Sequence, residues 1–333
     1  MTKLALIGAD VLGTSIALAL KNARPGQFEV SAAAADPDTL SRVRKMGAAD
    51  STHDSARRAV EGAEVVVLDT PLIHTRDLLE ALGTELETGT VVTDTGPIKT
   101  PVIEWARTLL PRGVHFVAGR PVPRSDLGDV RDASAEVLKG AEYCVVTDTG
   151  SDPEAVRTVV SLAEICGALP FFLDAREHDT YSAAMGSLPT VISAALMETA
   201  SSSNSWAEMS RLASGQFRDM TRLAERDPEE SHAASMINPD DLVHWIDQLI
   251  ASLYGYRNQI REGKEDLFTS YINAWEQRAR WQARAVHPDD VQGDKGQGSG
   301  EAMAEMMFGT LLMDRYRKMT GKSRKQWEYF RKG

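Results

Sequence analysis

Met1-Thr-Lys-Leu-Ala-Leu-Ile-Gly-Ala-Asp-Val-Leu-Gly-Thr14 opens the chain and decides how the rest is read. Residues 4–7 are an apolar run long enough for one buried strand, residues 8–13 a glycine turn, and residues 14–20 (Thr-Ser-Ile-Ala-Leu-Ala-Leu) a helix with an apolar face. Strand, glycine turn and helix in this order open a dinucleotide-binding βαβ unit. The free N–H groups and positive dipole end of the helix hold a pyrophosphate there. The pattern wants three glycines, and here they read Gly8, Asp10, Gly13. Gly8 still makes the turn and Gly13 still allows the helix to lie close to the strand. Asp10 puts a carboxylate where the backbone should approach the phosphates. Gly8, Asp10, Val11, Leu12 and Gly13 are therefore the expected cofactor-binding turn, with affinity lowered by Asp10.

Outward from this unit, strands and helices alternate. Strands are expected at residues 28–35, 63–68, 90–94, 114–118, 142–147 and 170–173. Helices are expected through Met46, at 75–86, at 101–110 and at 153–166. This predicts an α/β fold, a doubly wound, mostly parallel Rossmann-type sheet over residues 1–174, with its ligand outside the carboxyl ends of the strands. Asp10, Asp69 and Asp94 each follow or end a strand and should face that crevice. By spacing, Ala34 stands where the ribose-binding acid is usual, which makes Asp36 a displaced candidate and inclines the reading slightly to NAD over NADP. The structural alternative for Asp69 and Asp94 is capping of the helices or turns that follow.

From about Arg176 strand runs vanish. Long helices are expected at 177–199 (broken at Pro189), 242–261 and 264–285, giving an all-helical domain over 175–333. Residues 287–300 read as a flexible loop. Residues 301–320 read as a last helix carrying Met303, Met306, Met307, Phe308, Leu311 and Leu312, and residues 315–333 as a basic tail.

At 333 residues, 42% hydrophobic and 26% charged, the composition is that of a globular protein of two domains. The net charge of −11 argues against a nucleic-acid partner. No apolar run approaches the ~18 residues of a membrane span, and the first residues enter a strand without a basic leader, so a cytoplasmic protein is expected. Cys144 and Cys166 cannot form a disulfide scaffold. The histidines are scattered and suggest no metal site. His115 and His178 fall nearest the expected crevice and are the candidates for proton transfer.

Four segments then carry a resemblance. Val91-Val-Thr-Asp-Thr-Gly-Pro-Ile-Lys-Thr-Pro-Val102 resembles the strand-to-helix segment Asp-x-x-Ser-x-Lys of the prephenate and arogenate dehydrogenases. Val114-His-Phe-Val-Ala-Gly-Arg-Pro-Val122 resembles their Gly-His-Pro segment, and residues 177–190 the start of their helical domain. Gly215-Gln-Phe-Arg-Asp-Met-Thr-Arg-Leu-Ala224 resembles the segment that supplies a substrate-binding arginine. The resemblance covers about residues 1–285. It implies NAD or NADP as cofactor, oxidative decarboxylation as chemistry, and a homodimer built through the helical domain. Residue by residue, however, the family's serine is Pro97, its histidine is Arg120, and its Ser-His-Leu-Pro-His stretch is Gly186-Ser187-Leu188-Pro189-Thr190. Only the arginine persists, as Arg222. Arg120, Ser187, Thr190 and Arg222 are the substrate-binding candidates, and Arg120, His115 and His178 the catalytic ones. A guanidinium is a poor proton acceptor, and losing a general base alone forfeits about 10²–10⁴-fold in rate. The expectation is an NAD(P)-dependent oxidoreductase acting on a small carboxylated substrate through a diverged site. The alternative is a non-dehydrogenase using the acidic crevice for a cationic or metal-containing ligand, or a silent binding protein.

Overall fold

The computed structural model describes residues 1–124, 127–263, 266–283 and 286. His287, the expected loop at 287–300, the last helix and the basic tail lie outside the described residues. The described chain forms two compact units, divided between Gln248 and Leu249.

In chain order the first part runs β1 (Thr2–Ile7), α1 (Val11–Ala23), β2 (Phe28–Ala33), α2 (Pro37–Lys45), β3 (Ser51–His53), α3 (Ala56–Ala59), β4 (Val65–Leu68), α4 (Leu72–Leu82), β5 (Val91–Asp94), α5 (Thr100–Leu109) and β6 (His115–Phe116). These strands form one parallel sheet in the order β3-β2-β1-β4-β5-β6. Successive side chains of a strand point to opposite faces, and both faces here are covered. Leu4 and Leu6 join Ile16, Leu20, Val30, Val67 and Val159 in one core, while Ala5 and Ile7 join Leu68, Leu79, Val92 and Val102 in the other. A parallel sheet buried on both sides explains why β4 is an unbroken apolar run, Val-Val-Val-Leu.

The chain continues with β7 (Ala118–Val122), β8 (Glu142–Val146), α6 (Pro153–Ile165) and β9 (Leu169–Leu173). The expectation that these strands extend and close the main sheet is corrected. Residues 114–118 divide at Val117 between β6 and β7, and β7-β8-β9 make a separate three-stranded sheet in which β7 and β8 are antiparallel. A parallel return from β7 to β8 would need a crossover helix, and the connection contains only a 3₁₀ turn, Val130–Asp132, among the described residues. The short β3 and α3 carry no apolar periodicity and were not expected from sequence.

The helical part holds α7 (Ala175–Ser182), α8 (Leu188–Ser201), α9 (Trp206–Met209), α10 (Gly215–Thr221), a 3₁₀ turn at Arg222–Glu225, α11 (Pro228–Ile237), α12 (Pro239–Glu262) and α13 (Asp266–Gln282). Pro189 does not break the helix as expected. A π-helical turn, Ala183–Ser187, joins α7 to α8, and Pro189 falls in the first turn of α8, where its missing N–H costs nothing. In the second unit the rings of Tyr256 and Tyr271 lie 5.6 Å apart, and Leu253, Tyr254, Ile260 and Phe268 are exposed.

Candidate functional site

The glycine turn is built as its sequence requires. Gly8 has φ of +99°, and a Cβ there would lie 2.1 Å from the Asp69 carbonyl oxygen. At Gly13 a Cβ would lie 2.4 Å from Leu6 Cδ1, so a side chain would push α1 off β1. The N–H groups of Val11 and Leu12 open α1 and have no acceptor within the helix. A pyrophosphate would meet these two groups.

The acids around this turn differ from one another. Asp10 is the N-cap residue of α1, yet its side chain makes no capping hydrogen bond. The cap comes from outside: Asp69, just after β4, accepts the Gly13 N–H at 2.7 Å and the Thr95 hydroxyl at 2.5 Å. Burial, with Asp10 adding its charge, pushes Asp69 up to about 6. Burial also raises Asp10, with Asp129 a smaller contributor. Glu230 of α11 faces Asp10 and is raised by burial first and by that charge second. These acids form no metal-binding group among the described residues.

Asp94 is spent elsewhere. Its carboxylate holds the buried Lys99 ammonium at 2.5 Å, and Lys99 also donates to the Gly119 carbonyl at 2.7 Å. Burial lowers the Lys99 pKa, against the pull of Asp94. Asp179, on α7, accepts the N–H groups of Lys99 and Thr100 at 2.7 and 2.8 Å, and so caps α5 from outside. His178 Nδ1 meets the same carboxylate at 2.9 Å. Burial raises Asp179, but its donors, His178 first, outweigh this and leave it lowered. Burial lowers His178, whose Nε2 is buried without a hydrogen-bond partner among the described residues. With Nδ1–H directed to an ionised Asp179, Nε2 of the neutral ring is an acceptor.

Arg120 of β7 lies beside this network. Its guanidinium donates to the Pro97 carbonyl at 3.1 Å and to the Ser182 hydroxyl, and Ser182 donates to the same carbonyl at 2.6 Å. A Cβ added at Gly186 would be 3.7 Å from Arg120 Nη2, which places the π-helical turn over the guanidinium. Burial lowers the Arg120 pKa, and the charge of Arg226 lowers it further. Ser182 is one helical turn from His178, so Arg120 and His178 belong to one neighbourhood. Ser187 and Thr190 are half-buried on the adjoining segment, Thr190 donating to the Gly186 carbonyl. Arg222 is in the 3₁₀ turn that packs on α8.

Two candidates fall outside this group. His115 pairs with Val91, at the end of β5 opposite Asp94. Asp36 caps α2, accepting the Asp38 and Thr39 N–H groups and the Thr39 hydroxyl. Sequence reading gave no role to Lys99, Asp179, Ser182, Arg226 or Glu230. Lys99 was legible, as the last residue of the Asp-x-x-Ser-x-Lys resemblance; the others carry no signal at that level.

A parallel sheet with a glycine turn at β1, followed by a run of helices, defines a Rossmann-type nucleotide-binding protein with a helical partner domain. The family model for the nucleotide-binding domain of prephenate dehydrogenase matches residues 16–170, and that for its dimerization domain residues 174–274. The chain belongs to the prephenate dehydrogenase family. It is similar to the prephenate dehydrogenase of Bacillus subtilis, 29% identical over 276 residues that cover 82% of this chain and 74% of that one. It is also similar to the cyclohexadienyl dehydrogenase of Zymomonas mobilis, 25% identical over 85% of this chain and 97% of that one. In fold it resembles the crystal structure of prephenate dehydrogenase from A. aeolicus in complex with hydroxyphenyl propionate and NAD+, with a TM-score of 0.77, 21% identity, and 84% and 98% of the two chains covered. No helix among the described residues is long and apolar enough to cross a membrane.

Proposed function

We propose that this protein is an NAD(P)-dependent oxidoreductase that acts on a small carboxylated substrate. In this reading residues 1–174 bind the dinucleotide, and residues 175–333 complete the substrate site and form a homodimer. Family membership supports the cofactor, and so do the two glycines and the helix N-terminus at Val11 and Leu12. The nicotinamide, when bound, supplies hydride acceptance or donation. The chain's own residues supply the rest. Arg120 and Arg222 bind the substrate carboxylate, a bidentate match of guanidinium to carboxylate. Ser187 and Thr190 line the same segment. His178 holds a proton acceptor at Nε2.

The observation that carries the altered chemistry is the guanidinium of Arg120, lodged against Pro97 and Ser182 at the position of the family's histidine. The test of the reading is dinucleotide binding. Nicotinamide fluorescence is followed on titrating NADH and NADPH into the wild type and Asp10→Gly. Weak binding is expected, tightened about tenfold by removing the Asp10 carboxylate, an amount typical of one charge–charge contact at a surface crevice. Absence of binding in both proteins would overturn the oxidoreductase reading. Tight wild-type binding unchanged in the variant would overturn the role given to Asp10.

A further inference from the structure

The far end of the crevice, where the adenosine ribose would lie, sits beyond the carboxyl end of β2. An enzyme that prefers NAD places a carboxylate there to accept from the ribose hydroxyls, and one that prefers NADP places a cation there for the 2′-phosphate. In this chain the residue that follows β2 is Ala34, which can do neither. Asp36, two residues on, is not available as a substitute. Both its oxygens are occupied by the first turn of α2, through the Asp38 N–H, the Thr39 N–H and the Thr39 hydroxyl. Those three donors hold it below the usual carboxylate range, with Arg42 a smaller contributor.

Arg42 is the cation at this end. It lies on α2, and helical side chains lean back toward the helix N-terminus, which carries its guanidinium toward Asp36 and the end of β2. On the other side α2 packs against the 3₁₀ turn that begins at Val130, and the charge of Arg42 also reaches Asp129 at the head of that turn. The charge of Asp129 in turn reaches Asp10 and raises its carboxyl. Asp129 is already neutralised by Arg131, which grips both its oxygens at 2.5–2.9 Å. Arg42 itself is exposed, with no ion pair within 4 Å among the described residues.

We propose that Arg42 recognises the 2′-phosphate and that the protein prefers NADP(H) to NAD(H), with Ala34 removing the acid that would reject that phosphate. The proposal rests on the oxidoreductase reading and selects between its two cofactors. A 2′-phosphate is a dianionic acceptor, and an arginine matches it bidentately.

The test measures the affinities of NADPH, NADH, 2′,5′-ADP and 5′-AMP for wild type, Arg42→Gln and Ala34→Asp, by nicotinamide fluorescence for the first two and calorimetry for the others. Both substituted positions are on the surface or at a strand end, and circular dichroism verifies that each variant is folded. Wild type is expected to bind NADPH at least tenfold more tightly than NADH, and 2′,5′-ADP more tightly than 5′-AMP. Arg42→Gln is expected to lose about tenfold toward NADPH and 2′,5′-ADP and nothing toward NADH and 5′-AMP. Ala34→Asp is expected to reverse the order of NADPH and NADH. Equal or tighter binding of NADH by wild type, or an Arg42→Gln variant with the wild-type ratio, would overturn the proposal while leaving the oxidoreductase reading intact. No binding of either dinucleotide, even by Asp10→Gly, would overturn both.

Discussion

Asp10 and Asp69 exchange the roles that their positions suggest. By type and place Asp10 is a good N-cap for α1, but the third N–H of the helix is taken by Asp69, which arrives from β4, the neighbour of β1. Two carboxylates then share one helix N-terminus, and the more deeply buried one is raised to about 6. In the unfolded chain the Asp69 carboxyl titrates near 3.8. The folded protein therefore binds the extra proton between those two values, and the group's contribution to stability falls as pH rises from about 4 through about 6. Over roughly two pKa units this loss is about 3 kcal/mol. Asp69→Asn keeps an acceptor for Gly13 and can donate to the Thr95 hydroxyl, so it removes the titration at little packing cost. Urea unfolding from pH 4 to pH 7 is the check: the stability of the variant relative to wild type should rise by about 3 kcal/mol across that range. A difference that does not change with pH would mean that Asp69 is ionised throughout. Sequence reading singled out Asp10, Asp69 and Asp94 because each ends or follows a strand. It could not tell that Asp94 is consumed by Lys99, or that Asp69 caps α1, because both partners are set by tertiary packing.

Among the elements, α5 and α7 are tied through one carboxylate. The N-terminus of α5 begins at Lys99 and Thr100 with no cap of its own, and Asp179 of α7 supplies it. The same carboxylate fixes the His178 ring. Asp179→Ala leaves the buried Lys99 N–H, the part-buried Thr100 N–H and an imidazole N–H without their acceptor, at an expected cost of about 2–4 kcal/mol. Denaturant unfolding measures it, and a cost below about 1 kcal/mol would mean that water replaces the carboxylate. The elements differed in how far they could be read from sequence. β4 was legible because a strand buried on both faces is a continuous apolar run, and β1 and α1 because they flank a glycine turn. β7 was not, because residues 114–118 carry one apolar run that the fold divides at Val117 between two sheets. Arg120 was expected at the crevice from the family resemblance alone, and its hydrogen bonds to the Pro97 carbonyl and the Ser182 hydroxyl carried no signal in the sequence.

At the scale of the whole molecule, the chain belongs to the prephenate dehydrogenase family, and the proposal is that it combines the family's frame with replaced reacting groups. The segment matching the dimerization domain ends at residue 274, and α12 and α13 leave Leu253, Tyr254, Ile260 and Phe268 exposed. Exposed apolar surface of this kind is usual at an interface between subunits. A homodimer is expected by light scattering of the full-length chain, and a monomer at micromolar concentration would refute it. The central claim is that the frame is retained while the base is replaced, since a permanently charged donor at Arg120 cannot accept the proton that a histidine would. Turnover of prephenate and arogenate with NAD+ and NADP+, followed by nicotinamide absorbance, tests it most directly. Turnover of either substrate at least about 10²-fold below that of a family member with the histidine is expected. Ordinary turnover of either one would contradict the account and would show that another group accepts the proton in place of the missing histidine.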